Sequence, residues 1–134
     1  ARKDPLIREP ALVFLEQVGL AKRAGIVAGQ LSHGEHRQLE IAMALATRPK
    51  MLLLDEPMAG MGPEESKAMV DILQGLKQKL TILLIEHDMD VVFTLADQIT
   101  VLVYGRGIAT DGPEAIRNHP EVQAAYLGEE EVSA

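Results

Sequence analysis

The sequence contains no cysteine and no tryptophan, and it has only two tyrosines and two phenylalanines among 134 residues. A chain without cysteine forms neither disulfides nor thiolate metal sites, which fits a reducing compartment such as the cytoplasm. Because aromatic residues make up only 3% of the chain, the core of a folded domain must be built from Leu, Ile, Val, Ala and Met.

Positive charge and long apolar runs are also scarce. The chain has 13 Lys and Arg against 20 Asp and Glu, a net charge of −7 at pH 7, so it lacks the basic surface that DNA or RNA binding requires, and we expect no nucleic-acid partner. The longest aliphatic runs, Met51–Leu54 and Ile82–Ile85, are far shorter than the ~20 residues of a membrane helix. The first residues, Ala1–Pro5, do not resemble a signal peptide. We therefore expect that any function at a membrane depends on a partner.

Hydrophobic residues make up 47% of the chain and charged residues 25%, as in an ordinary globular domain. Apolar periodicity and capping residues predict helices at residues 10–18, 34–47, from 62 onward, 88–96, after 113 and after 120. Aliphatic runs predict strands at residues 51–55, 81–86 and 99–104, the last turning back as a hairpin. Alternating strands and helices predict an α/β fold with a largely parallel sheet covered on both faces. The tail Glu129–Glu131 should be solvated and frayed.

Two adjacent carboxylates, Asp55 and Glu56, follow the aliphatic strand Met51–Leu54. Ligands of open α/β sheets gather at the carboxyl ends of the strands. In that place one carboxylate holds Mg²⁺ through water, and its neighbour orients or deprotonates an attacking water. A loop cap after a core strand accounts for the same two residues without any chemistry, and the dipeptide alone does not separate the two interpretations.

A second pattern, Ser32-His33-Gly34-Glu35, precedes an apolar helix and has the S-x-x-E form of a capping box. A glycine at a helix start also exposes N–H groups to an anion, and the helix dipole attracts phosphate there, so capping and phosphate binding are compatible. His87 ends the strand that begins at Thr81, where a histidine is either structural or a phosphate sensor. His33 and His36 are spaced H-x-x-H, but without a third ligand they are interpreted as surface residues.

The order of these features is more specific than any one of them. Leu31–Glu35 is followed by Pro49, by a strand that ends in Asp55-Glu56-Pro57, by a helix and by a strand that ends at His87. This series resembles the signature sequence, the Walker B strand and the switch histidine of ABC-type ATPases. More narrowly, it resembles the ATP-binding subunits of branched-chain amino acid importers, through residues 31–35, 39–42, 44–49, 59–64, 85–89 and 125–129.

The resemblance covers nearly the whole chain but only about the C-terminal half of a family member. The phosphate-binding loop GxxxxGK[ST] occurs nowhere in the sequence. The resemblance therefore implies a partial P-loop NTPase fold, with a mostly parallel sheet flanked by helices and without the phosphate-loop strand. It implies that residues 1–48 end the helical and signature region, that 49–112 form the Walker B to switch-histidine core, and that 113–134 form C-terminal helices and a tail.

The resemblance also implies roles for individual residues in a head-to-tail dimer that binds two ATP molecules with Mg²⁺. Glu56 would be the general base, Asp55 the partner of Mg²⁺ through water, and His87 the switch histidine. The signature residues would contact a nucleotide held by the other subunit: Leu31, Ser32, His33, Gly34 and Glu35. A D-loop would follow Walker B: Ala59, Gly60, Met61 and Gly62. The family usually has Gly at the position of His33, often Gln at that of Glu35, and Asp at that of Gly62.

By the same resemblance, the intact protein would be an ATP hydrolase that powers amino acid uptake, with branched-chain amino acids as the first candidates. Its partners would be a second ATPase subunit (in a homo- or heterodimer), transmembrane permease subunits and, indirectly, a periplasmic solute-binding protein. It would lie peripherally on the cytoplasmic side of the inner membrane, whereas this fragment alone would be soluble. The chain alone would be inactive, because positioning of the phosphates supplies most of the catalysis.

Two other functions remain open. One is a non-catalytic interaction module that donates its signature face in trans, and the other is a soluble, non-transport ABC ATPase. Loss of the phosphate-loop strand would expose an apolar strand edge, so we also expect the isolated chain to dimerise, swap elements or aggregate.

Overall fold

The computed structural model describes residues 4–127, without the side chain of Leu127. The prediction of a frayed tail at Glu129–Glu131, and of a helix end near Gly128, falls outside the described residues. The chain divides into two compact units, Ala1–His87 and Asp88–Ala134. None of the helices within residues 4–127 combines the length and the apolar composition that a bilayer crossing requires.

Residues 4–87 of the first unit contain three α-helices and two strands: α1 Pro5–Gln17, α2 His33–Ala46, β1 Met51–Asp55, α3 Pro63–Leu76 and β2 Thr81–Ile85. Two short 3-10 turns, Ala21–Arg23 and Ala28–Gln30, lie between α1 and α2. The predictions for α2, β1 and β2 are confirmed to within one residue at each end. The predicted start of the first helix at residue 10 is wrong. The Asp4 carboxylate caps the helix by accepting from the backbone N–H of Leu6 at 3.0 Å, and Pro5 fits the first helical turn, so α1 begins five residues earlier.

The two strands of the first unit run parallel and in register, with Met51 opposite Thr81 and Asp55 opposite Ile85. This register brings the residues that follow the strands to the same edge of the sheet. The buried apolar residues of the unit are Val18, Leu20, Ile41, Ala42, Leu45, Leu52, Met58, Met69, Leu73 and Leu76.

Alternate residues of the parallel pair point to a second, open face, where Met51, Leu53, Leu83 and Ile85 are 49%, 69%, 49% and 57% exposed. The expected α/β arrangement of a parallel sheet flanked by helices is confirmed, but the second face of the sheet is exposed in this chain and not covered as expected. An uninterrupted aliphatic run indicates a strand that is suited to burial on both faces, but the run does not supply the element that covers the second face.

The second unit contains α4 Met89–Leu95, β3 Ile99–Val103, β4 Arg106–Asp111, α5 Pro113–Arg117, α6 Pro120–Val122 and a π-helical turn over Gln123–Leu127. The predicted hairpin is confirmed, since β3 and β4 pair antiparallel in their own two-stranded sheet. Its two-residue turn places Tyr104 at φ 48° and Gly105 at φ 75°, the conformation that matches the twist of the flanking strands. The core of the unit is formed by Ile99, Val101, Ile116 and Val122.

Candidate functional site

Glu56 and His87 meet at the carboxyl ends of β1 and β2. The backbone N–H of Glu56 donates to the carbonyl of Ile85 at 2.9 Å, which continues the parallel ladder one residue past β1. His87 Nδ1 lies 3.1 Å from Glu56 Oε1. The Glu56 side chain is 48% exposed and that of His87 76% exposed, so solvent and ligands reach both groups. The structure thus joins two residues that are 31 positions apart in the sequence.

The backbone of Glu56 adopts the left-handed region, with φ 45°. A non-glycine residue pays a steric cost in this conformation, because Cβ approaches the following carbonyl oxygen. Such strain is found most often where a side chain must be aimed for function. Here the conformation ends the strand abruptly, and the carboxylate then contacts the imidazole.

Two more carboxylates flank this pair. Asp55 is the last residue of β1 and is exposed at the sheet edge. Glu86 directly precedes His87, and its two oxygens accept from the backbone N–H of Met58 at 3.4 Å and of His87 at 3.3 Å. Glu86 therefore fixes both loops that leave the strand ends. Sequence reasoning gave it no role, because nothing in the pattern distinguishes an acid that braces a loop from one in solvent.

The donor set at this edge suits a weakly held hard cation. Within residues 4–127, no group of three or more His, Cys, Asp or Glu side chains converges as a metal cage. Mg²⁺ bound to a nucleotide keeps several waters and needs only one or two protein carboxylates. Asp55 is an accessible carboxylate of that kind, so the residues present fit a metal that is held mainly by water and phosphate.

The start of α2 contains the predicted capping box, which is confirmed. Ser32 Oγ accepts from the backbone N–H of Glu35 at 3.2 Å, and Glu35 Oε2 accepts from that of Ser32 at 2.9 Å. Arg23 Nε also lies 2.7 Å from Glu35 Oε1. The hydrogen bond from the Ser32 backbone, and after it the one from Arg23, hold the pKa of Glu35 below its ordinary value. Leu31 is partly buried just before this turn.

His33 connects the turn at residues 31–35, called here the signature turn, to the segment that follows β1. Its Nε2 lies 3.0 Å from the carbonyl oxygen of Ala59, 26 residues later in the chain. Gly60 follows at φ 75°, and a Cβ there would come within 3.3 Å of His33 Nε2. His33 is exposed, as a surface residue should be, and it also forms this contact with the Ala59 carbonyl. No local signal points to this contact, since only the tertiary fold brings the two segments together.

Glu65, near the start of α3, contacts the same turn from the other side. Ser32 Oγ donates to Glu65 Oε1 at 3.3 Å, and the backbone N–H of Gly62 donates to Glu65 Oε2 at 3.4 Å. Gly34 is buried beneath this carboxylate. The cleft at this place has a volume of about 370 Å³ and is lined by Arg23, Ser32, Gly34, Glu35, Gln38, Met61, Glu65, Ala68 and Met69.

Known protein families match two segments of the chain. A family model described as "ABC transporter" matches residues 7–59, which include most of α1, the turn at residues 31–35 and β1. A second model, described as "Branched-chain amino acid ATP-binding cassette transporter", matches residues 108–132.

Curated relatives align with most of the chain. The high-affinity branched-chain amino acid transport ATP-binding protein LivG of Escherichia coli (strain K12) is 45% identical over 121 residues, which are 89% of this chain and 48% of that protein. The protein of the same description named BraF, from Pseudomonas aeruginosa, is 44% identical over 130 residues, which are 96% and 51%. The chain thus spans about half the length of the curated relatives it matches.

Solved structures show the same fold. The crystal structure of the ADP conformation of MJ1267, an ATP-binding cassette of an ABC transporter, superposes with a TM-score of 0.81 at 34% identity, covering 94% of this chain and 52% of that one. A nucleotide-free ATP-binding cassette from an ABC transporter superposes with a TM-score of 0.81 at 36% identity, covering 92% and 51%. The predicted α/β fold class is confirmed by these superpositions.

Proposed function

Since this chain belongs to the ABC transporter ATPase family, we propose that it is the C-terminal part of an ATP-binding subunit that hydrolyses MgATP to power amino acid import. The observation that carries the proposal is the contact of Glu56 with His87, 3.1 Å apart at the carboxyl ends of two parallel strands. Branched-chain amino acids are the first candidates for the transported solute. The names of the LivG and BraF relatives and the family model over residues 108–132 support them.

In this proposal Glu56 is the general base that orients and deprotonates the attacking water. The imidazole of His87 holds the Glu56 carboxylate through Nδ1, which leaves Nε2 available to a phosphate oxygen. Asp55 holds the metal through a water molecule. Mg²⁺, when bound with ATP, neutralises charge that develops on the phosphates.

The signature turn acts in the site of a second subunit. Ser32 and Gly34 lie at the N-terminus of the 14-residue helix α2, where the helix dipole favours a phosphate, and they contact a nucleotide cradled by the partner. Leu31, His33 and Glu35 shape the turn, and the D-loop of residues 59–62 packs beside it. The complete site therefore needs a head-to-tail dimer, either of identical or of related subunits.

The proposed partners of the intact protein are transmembrane permease subunits, with a periplasmic solute-binding protein acting through them. This places the protein peripherally on the cytoplasmic side of the inner membrane. Specificity for the solute would lie in those partners, because the residues assigned here contact only nucleotide, metal and the second subunit.

ATP hydrolysis by the intact protein tests this function. Wild-type protein that carries the upstream half should hydrolyse MgATP, and Glu56→Gln, which keeps the shape but removes the base, should reduce the rate by at least about a hundredfold. Glu64→Gln is the matched control, because it removes another exposed carboxylate, from the first turn of α3. The 134-residue chain by itself should hydrolyse nothing measurable. An inactive wild-type protein, or an unchanged rate in Glu56→Gln, would contradict the proposal.

A non-catalytic interaction module is the second candidate, favoured by one observation: the capping box at the start of α2 is fully formed by residues of this chain alone. The native reading frame upstream of Arg2 separates the two functions. An in-frame phosphate loop would support the ATPase, whereas a start codon near Arg2 would support a module that donates its signature face in trans.

A further inference from the structure

The Glu65 carboxylate contacts Ser32 and Gly34, the two residues that we propose bind the phosphate of a partner's nucleotide. Its Oε1 accepts from Ser32 Oγ at 3.3 Å, and the same oxygen lies 2.8 Å from the point where a Cβ on Gly34 would be. A negatively charged group therefore already occupies the space directly above the signature glycine. Glu65 comes from α3, 33 residues after Ser32, so this contact is a product of the tertiary fold.

This arrangement suits the protein without nucleotide. The N-terminus of α2 carries partial positive charge, and a carboxylate close to it is stabilising. Gly62 supplies a second hydrogen bond, at 3.4 Å, that ties the carboxylate to the start of its own helix. When a phosphate reaches Ser32, it meets the carboxylate as a like charge and as a competitor for the serine hydroxyl. The carboxylate is the far end of a flexible side chain, so it can swing away.

We propose that Glu65 is a positioning residue that holds Ser32 in the nucleotide-free protein and gives up this contact when the partner's nucleotide binds. This inference rests on the proposed ATPase function. The apparent affinity for ATP then depends on how well the phosphate competes with the Glu65 carboxylate for Ser32. The position of Glu65 also gives a reason, within this subunit alone, for glycine at position 34: any side chain there would displace the Glu65 carboxylate.

The test compares charge-removing variants of neighbouring glutamates in the intact protein. Glu65→Gln removes the charge and keeps one acceptor oxygen, which can serve either Ser32 or Gly62 but not both. We expect it to lower the ATP concentration for half-maximal hydrolysis by about three- to tenfold without raising kcat, as fits like charges about 4 Å apart in a solvent-like dielectric. The effect should shrink at an ionic strength of about 1 M, because salt screens the repulsion. Glu64→Gln removes the same charge one residue away and should change the half-maximal concentration by less than about twofold.

A second measurement uses the 134-residue chain without nucleotide. In ¹⁵N-resolved NMR spectra, Glu65→Gln should shift the amide resonances of Ser32 and Gly34, and Glu64→Gln should leave them in place. Glu65→Ala should lower the ATP requirement of the intact protein as Glu65→Gln does, but it should also lower the melting temperature, because the cap on Gly62 is lost.

The outcomes separate the two ideas. No hydrolysis by the wild-type protein would overturn the proposed function and, with it, the competition between Glu65 and phosphate. Normal hydrolysis with an unchanged or raised ATP requirement in Glu65→Gln would overturn the role of Glu65 alone. Unshifted Ser32 and Gly34 resonances would refute the contact itself.

Discussion

The left-handed backbone of Glu56 predicts that the proposed general base destabilises the protein that carries it. Its φ of 45° is a conformation that glycine adopts freely and other residues do not. We therefore expect the Glu56→Gly variant to be more stable than Glu56→Ala. Both variants lose the carboxylate and its contact with His87, so their difference isolates the backbone.

The size of the difference follows from two opposing terms. A non-glycine residue in the left-handed region costs about 1–2 kcal/mol, which glycine recovers. Glycine in turn costs about 0.4–1 kcal/mol, because the unfolded chain gains conformational freedom. The free energy of unfolding should therefore be about 0.5–1 kcal/mol higher for Glu56→Gly, or about 2–5 °C in melting temperature for a chain of this length.

The assay is thermal and urea unfolding of the 134-residue chain, followed by circular dichroism. Asp71 provides the matched control, since it is an exposed residue in the middle of α3 with helical backbone. There the order should reverse, with Asp71→Ala about 1 kcal/mol more stable than Asp71→Gly. If Glu56→Gly proves no more stable than Glu56→Ala while the Asp71 pair behaves as expected, the argument from strain is refuted.

Three further predictions concern the signature turn and the open sheet face. Glu35→Gln should lower the melting temperature at neutral pH. The deficit should begin to shrink as the pH falls below about 4.3, the ordinary glutamate pKa, and should disappear below the depressed pKa of Glu35, because the carboxylate stabilises the fold only while it is ionised. A deficit that persists in strong acid would contradict this. The Leu53 side chain is 69% exposed on the open sheet face, so Leu53→Lys should weaken self-association of the chain at least about tenfold, as measured by sedimentation velocity. A wild-type chain that stays monomeric at high concentration would refute the expected association. His33→Ala removes the hydrogen bond to the Ala59 carbonyl and should therefore accelerate amide hydrogen exchange in the D-loop about three- to tenfold. His36→Ala, one helical turn away, should leave the exchange rates of the D-loop unchanged.

The elements that sequence reasoning predicted well depend on contacts between near neighbours. The start of α2 follows from a serine and a glutamate three residues apart, and the hairpin from two aliphatic runs that flank a glycine turn. The start of α1 was wrong even though its cause is local. Pro10 favours a helix start at that residue, but Asp4 caps the helix six residues earlier and Pro10 lies inside it.

Some residues of the candidate site could be predicted from the sequence and others could not. The order of motifs along the chain is enough to select Glu56 and His87 as candidates, but it does not reveal that their side chains lie 3.1 Å apart. The partners that hold these motifs were not foreseen. Glu86, as the brace for the loops, and Glu65, as the neighbour of Ser32, are ordinary exposed-looking acids in the sequence.

Periodicity, caps and turn residues act over a few positions, so the amino-acid sequence was sufficient to locate most of the helices and strands. The ordered series of motifs along the chain was likewise sufficient to indicate the family. The tertiary structure was needed to show which groups meet across 26 to 33 residues: the His33 imidazole with the Ala59 carbonyl, Glu56 with His87, and Ser32 with Glu65. Such contacts depend on the register of β1 and β2 and on the packing of α2 beside α3. These are set by burial of the whole apolar core, and no local pattern records them.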